Sequence, residues 1–287
     1  MERDILALIS KATPGFSKGQ RLIAQYIQEN YDKAAFMTAG KLGRTVGVSE
    51  STVVRFAAEL GYDGYPGMRK ALQEMIRNRL SSVQRIEVAK EYMNGANALE
   101  AVLTADIEKL QSTLEDVDRA AFDRAVKLIL EARNIYVVGM RSSTCLASFL
   151  GFYLNILLDN VHIVHDTAVS EVYEQIVRIG EGDVFIGISF PRYSTRTLKA
   201  MKFAKESGAK IIGITDGETS PFTAMADVLL YAKSDMVSFL DSLVAPLSLI
   251  NALIISIGMG REDTLSDTFK RLESIWTEYE VFETYDG

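Results

Sequence analysis

The feature that most constrains this chain is a pair of short apolar runs that end alike. Ile135–Gly139 (IYVVG) stops at Arg141, Ser142 and Ser143, and Val184–Ile188 (VFIGI) stops at Ser189, Arg192 and Ser194. Continuous β-branched runs of this length are the pattern of strands buried on both faces, and each is followed by helical patterning. A helix starting where a strand ends presents unpaired backbone N–H groups and the positive end of its dipole, to which serine hydroxyls add donors. The two stretches therefore predict two loops suited to one anion, above all a phosphate.

The surrounding pattern makes them parts of one sheet. Strand-like runs fall at 135–139, 161–164, 184–189, 211–215 and 228–232, and helical stretches at about 143–158, 170–178, 195–207 and 221–226 separate them. Alternation of this kind gives a doubly wound five-stranded parallel sheet, an α/β fold whose ligands lie beyond the carboxyl ends of the strands. Asp118 is placed to cap a preceding helix with Phe122, Val126, Ile129 and Leu130 inward. Ser238 to Met259 reads as a long helix packed on the sheet, with Asn251 a polar exception. Ser242 to Gly260 carries no charge, but Pro246, Ser248, Asn251 and Ser256 interrupt it, which favours a core helix over a membrane span. Leu265, Phe269, Leu272, Trp276 and Tyr279 then form a helical stripe, open between docking on its own subunit and a subunit interface.

With 287 residues the chain has room for a second domain. Residues 1–80 carry 12 Lys and Arg against 8 Asp and Glu, a net of +4, within a chain whose total is −7. A basic head on an acidic body is compatible with DNA binding, whereas the net charge argues against blanket nucleic-acid affinity. Cys145 is the only cysteine, which excludes an intrachain disulfide and suits a reducing, cytoplasmic setting. Charges at Glu2, Arg3 and Asp4 argue against a signal peptide.

Within the head, Ser17 and Gln20 form a capping-box pattern ahead of Leu22, Ile23, Tyr26 and Ile27. A second helix runs from Thr38 to Val46, Gly47 permits the positive φ of a tight turn, and Ser49 caps a third helix burying Val53, Phe56 and Leu60. This spacing resembles a helix-turn-helix, with Gly43 where the motif usually has alanine. Arg55 and Phe56, then Leu60, Gly61 and Tyr62, then Gly64 and Tyr65, continue as in RpiR-type regulators, a resemblance covering roughly residues 1–77. It implies that Ser49, Ser51, Thr52 and Arg55 face the major groove, Arg55 being suited to bidentate contact with guanine. Tyr65, Arg69 and Lys70 would hold phosphates, against the plainer reading of packing for Tyr65 and a solvated face for the cations.

The body resembles a SIS, or sugar isomerase, domain over about residues 122–262. Its usual loops, G-x-G-x-S and S-x-S-G-x-T, correspond to Gly139 through Ser143 and to Ser189 through Ser194, and Thr197 follows at the domain's spacing. The resemblance implies a phosphosugar ligand held by Arg141, Ser142, Ser143, Ser189, Arg192, Ser194 and Thr197. Arginine replaces a loop glycine at both Arg141 and Arg192, and Pro191 replaces a serine. A guanidinium excludes volume but offers a permanently charged fork for phosphate. The competing outcome is that Arg141 and Arg192 pair with Asp166 or Glu171 and fill the pocket.

Residues 1–77 are thus expected to be a helix-turn-helix domain, 78–121 a helical connector, 122–262 the SIS domain and 263–287 a C-terminal helix. The function implied is a transcriptional regulator that binds a double-stranded operator as a homodimer or higher oligomer and senses a phosphorylated sugar. It is read as non-enzymatic, with no catalytic residue, cofactor or metal cluster and no membrane association. The alternative is an aldose–ketose isomerase using His165 or Glu171 as base, with His162 structural.

Overall fold

The computed structural model describes residues 5–77, 83–86, 97–165, 169–234 and 240–283. The chain divides into two units, Met1–Ala105 with Asp235–Ser242 and Asp106–Ser234 with Leu243–Gly287.

The first unit is helical, with α1 Ile5–Ala12, α2 Lys18–Glu29, α3 Tyr31–Ala34, α4 Ala39–Val46, α5 Glu50–Glu59 and α6 Gly64–Arg77. Ser17 opens α2 with the expected capping box: Gln20 returns its side-chain oxygen to the Ser17 N–H at 2.8 Å. Ile5, Ile9, Phe16, Ile23, Ile27, Leu42, Val53, Phe56, Met68 and Leu72 form one buried core. The turn between α4 and α5 accounts for both of its glycines. Gly47 adopts φ 77°, a left-handed conformation that costs most residues free energy. A Cβ on Gly43 would sit 2.8 Å from the Val48 carbonyl oxygen, so even alanine would force the two helices apart.

Helix α7, Ala98–Asp116, follows the residues beyond α6 and exposes its apolar face. Leu99, Leu103, Ile107 and Leu114 are 54–70% exposed, whereas Ala105, Lys109 and Thr113 are buried. This is the reverse of an ordinary surface helix.

The second unit holds α8 Arg119–Glu131, β1 Ile135–Gly139, α9 Thr144–Leu157, β2 Val161–Val164, α10 Val169–Ile176 and β3 Val184–Ile188. It continues with α11 Thr195–Glu206, β4 Lys210–Thr215, β5 Val228–Tyr231, α12 Val244–Met259 and α13 Glu262–Glu278. The strands form one parallel sheet in the order β2-β1-β3-β4-β5. Because side chains alternate along a strand, Ile135, Val137, Ile186, Ile188, Ile212 and Ile214 pack on one face with α8, α9 and α12. Tyr136, Val138, Phe185 and Ile211 pack on the other with α10 and α11.

Two expectations are corrected by the structure. The helical stretch at 221–226 is a single 3₁₀ turn, Pro221–Ala224, begun by the Ser220 hydroxyl accepting from the Phe222 N–H. The long helix starts at Val244 rather than Ser238; residues 235–239 lie outside the described residues. Its buried face is Ala245, Pro246, Leu249, Ile250, Leu253 and Ile257, with Asn251 turned to solvent. No helix among the described residues is long and apolar enough to cross a membrane.

Candidate functional site

Strand β1 leads into α9 on one face of the sheet, and its neighbour β3 leads into α11 on the other. Adjacent strands whose helices depart to opposite faces leave a crevice at their carboxyl ends, the usual ligand position in doubly wound sheets. Gly139 lies opposite Ile188 in the ladder, so the two hydroxyl-rich loops begin side by side.

The first loop turns back at once. A Cβ on Gly139 would meet the Ser143 carbonyl oxygen at 2.5 Å, so glycine is required for the chain to fold onto itself there. Residues 141–143 form a 3₁₀ turn that runs into α9, and Ser143 is buried while Arg141 and Ser142 are exposed. In the second loop the Ser189 hydroxyl accepts the Ser194 N–H at 3.1 Å, and the Ser194 hydroxyl caps α11 by accepting the Thr197 N–H at 3.3 Å. Each hydroxyl spends a lone pair on the backbone and keeps its proton for an incoming oxygen. Tyr193 donates to Asp216 at 2.8 Å, tying this loop to the tip of β4. Thr197 is fully buried, and its Oγ1 has no hydrogen-bond partner among the described residues.

Arg141 and Arg192, the two positions where arginine replaces a loop glycine, have φ values of 58° and 62°. Among the described residues only Glu280 is a further non-glycine at positive φ. The glycine-type backbone has been kept and arginine placed on it, at a cost of roughly 1–2 kcal/mol each. Strain of this kind persists where surrounding structure holds it, and it concentrates at functional sites.

Asp166, one of the carboxylates expected to compete for these arginines, lies outside the described residues, and Glu171 is exposed on α10. His162 stacks on Tyr136 with ring centroids 4.8 Å apart. His165 is exposed, its backbone N–H and carbonyl both bonded to the Gln175 amide. No cluster of metal-ligating side chains occurs among the described residues.

In the first unit, Ser49 caps α5 by accepting from the Thr52 N–H, and its hydroxyl also bonds those of Ser51 and Thr52. Ser49, Ser51 and Arg55 are exposed on this helix and Thr52 is partly so. Lys70 is exposed and Arg69 half-buried on α6. Tyr65 stands apart from the groove-facing set. It is 4% exposed and donates its hydroxyl to the Met37 carbonyl at 2.8 Å, which places it in the packing of the head rather than at a phosphate. Burial pushes its pKa up to about 12, against the opposing charge of Arg69. The phenol stays protonated, as this donated bond requires.

Two family models match this chain. The SIS domain model matches residues 128–256, and the helix-turn-helix domain model of the rpiR family matches residues 3–79. The head is thus a helix-turn-helix domain of the rpiR family and the body a SIS domain. The HTH-type transcriptional regulator HexR of Pseudomonas aeruginosa is 24% identical over 281 residues, 94% of this chain and 95% of that one. The isolated sugar isomerase domain of an RpiR transcription factor from Sphaerobacter thermophilus is 28% identical with a TM-score of 0.58, covering 62% of this chain and 98% of that one. The Vibrio vulnificus NanR protein, solved with ManNAc-6P, shares the fold at a TM-score of 0.59 and 21% identity, over 96% of this chain and 99% of that one. A transcription regulator of rpiR type therefore combines a helix-turn-helix head with a SIS body in this chain.

Sequence reasoning locates both loops but misses Tyr193 and Asp216. The spacing of 23 residues between them carries no local signal. An aromatic residue inside a hydroxyl-rich loop is the available hint.

Proposed function

We propose that this regulator binds a phosphorylated sugar at the tips of β1 and β3 and couples its occupancy to operator binding by α5. The observation that carries the reading is the pair of left-handed arginines in neighbouring strand-end loops, beside serines whose protons are unspent. A phosphate would accept from Ser142, Ser143, Ser189, Ser194 and Thr197 and from the forked guanidinium of Arg192. The phosphosugar bound by NanR, a protein of the same fold, supports this ligand class.

On the DNA side, Ser51 and Arg55 project from a helix whose other face is buried, and Arg55 suits a guanine edge. Arg69 and Lys70 serve as phosphate contacts. One helix of this length reads one half-site, so selective binding calls for a two-fold dimer. The outward apolar stripe of α7 supports pairing between copies. Effector and operator then act by linkage: a ligand that prefers one arrangement of the paired chains shifts the affinity for DNA.

The non-enzymatic reading is supported by the transcriptional regulators among the relatives and by the solvent exposure of His165 and Glu171, which gives neither the buried setting of a tuned base. This reading implies a cytoplasmic setting, where operator DNA lies, and calls for no membrane partner.

The test begins with genomic fragments selected on the purified protein and then used as duplex probes in anisotropy titrations. Arg55→Ala is expected to weaken the selected duplex by roughly 10- to 100-fold and to flatten discrimination against a scrambled one. Retained selectivity in that variant would remove α5 from the reading.

A further inference from the structure

We infer that the effector carries a second anionic group besides its phosphate, as in a sugar bisphosphate or a phosphorylated sugar acid, and that Arg141 recognises it. This rests on the phosphosugar reading above and narrows its ligand class.

The second loop alone can hold one phosphate. It supplies the Ser189 and Ser194 protons, the buried Thr197 hydroxyl and the first turn of α11, with Arg192, already engaged within the chain, beside them. The first loop adds Ser142 and Ser143, which are small and neutral and would complete the phosphate's shell. Arg141 exceeds that need. It is exposed, and its guanidinium forms no hydrogen bond or ion pair with a described residue. Its φ of 58° makes it costly where glycine would be unstrained. A neutral hydroxyl could be met by a backbone N–H or a serine without that cost. What a guanidinium supplies and those groups cannot is permanent charge in a fork that matches a carboxylate or a second phosphate.

The two loops start on neighbouring strands, which lie about 4.8 Å apart. Their donors therefore span a few ångströms along a bound sugar, the scale on which the two ends of a hexose differ. The arrangement assigns the phosphate to the β3 side and the second anionic group to the β1 side.

The test sets singly anionic against doubly anionic compounds of the same carbon skeleton, titrated calorimetrically at fixed ionic strength on the full chain. Glucose 6-phosphate is set against glucose 1,6-bisphosphate and 6-phosphogluconate, fructose 6-phosphate against fructose 1,6-bisphosphate, with inorganic phosphate as reference. At least one doubly anionic member is expected to bind roughly 10- to 100-fold more tightly than its singly anionic partner. Arg141→Gly, which keeps the loop's backbone unstrained, should erase that difference and leave the singly anionic compound within about threefold of its original affinity. Equal or tighter binding of the monophosphates overturns the inference and leaves the phosphosugar reading in place. So does a uniform weakening of all the compounds by Arg141→Gly. Failure of every compound to bind, inorganic phosphate included, overturns both.

Discussion

The two ends of the β1–β3 strand pair differ in how completely their polar groups are satisfied. At the amino end, the buried Asp183 carboxylate accepts from Arg133 Nε and Nη2 at 2.9 Å each, from Asn134 at 2.9 Å and from the Gly180 N–H at 2.8 Å. Burial alone would raise its pKa, but these bonds and the Arg133 charge outweigh it and hold the carboxyl below its usual range. At the carboxyl end the same strands run into two left-handed arginines, two serines with unspent protons and a buried threonine hydroxyl without a partner among the described residues. One end is finished as a fastening, and the other is left to be finished by something else. A parallel sheet imposes this polarity, because helix N-termini gather beyond the carboxyl ends of its strands.

The largest effect is expected from opening the fastened end. Asp183→Ala removes four accepted bonds and strands the Asn134 and Gly180 donors, a loss of about 2–4 kcal/mol by the usual cost of breaking a buried charged network. Chemical denaturation would measure it. A depressed carboxyl pKa contributes stability that is present above the unfolded value, about 3.9, and disappears as pH falls through the folded one. The wild-type chain should therefore lose more stability than the variant on acidification below about pH 4, where the two curves converge. A loss under about 0.5 kcal/mol, or parallel acid limbs, would mean that this end is no better fastened than the other.

How far this contrast can be read from the sequence depends on the range of the interactions that make it. The strands are local features, so apolar runs locate β1 and β2 to the residue, and the hydroxyl clusters at two strand ends mark the crevice. Gly47 and Ser49 mark the head's turn because one needs a left-handed backbone and the other a cap. The Asp183 fastening is not legible, since Arg133 lies 50 residues away and only the β1–β3 pairing brings them together. Periodicity identifies α7 as amphipathic, but no pattern within a helix says whether its apolar face will be covered. Tyr65 escapes a correct assignment for a similar reason. A tyrosine beside basic residues suits either a phosphate or the core, and the Met37 carbonyl that decides between them is 28 residues back.

A smaller effect, of opposite sign, is expected at the open end. Thr197→Val keeps the shape of the side chain and removes a buried hydroxyl that lacks a protein partner among the described residues. Stability should rise by about 1 kcal/mol, the lower part of the range for burying such a group unpaired. Affinity for the phosphosugar should fall in the same variant, because the hydroxyl's partner is then the ligand. A loss of stability of about 1 kcal/mol or more would show the hydroxyl to be satisfied in the free protein, and the two ends would be alike in that respect.

The smallest effect separates strain from binding in the arginines themselves. Replacing Arg141 or Arg192 by glycine relieves roughly 1–2 kcal/mol of left-handed backbone cost, and glycine's greater unfolded-state freedom takes back about 0.5–1. The net gain is about 0–1.5 kcal/mol per site, a rise in Tm of a few degrees at most for a domain of this size. Arg192→Gly should gain less than Arg141→Gly, because Arg192 makes interactions within the chain whereas the Arg141 guanidinium makes none with a described residue. Arg141→Ala is the control: alanine keeps the left-handed cost without the guanidinium, so it should lose the preference for a doubly anionic ligand with no gain in Tm. Equal gains for Arg141→Ala and Arg141→Gly would place the instability in the charge rather than in the backbone. The carboxyl end would then be crowded with like charge rather than strained, and a simple anion such as sulfate should stabilise it as well as any sugar phosphate does.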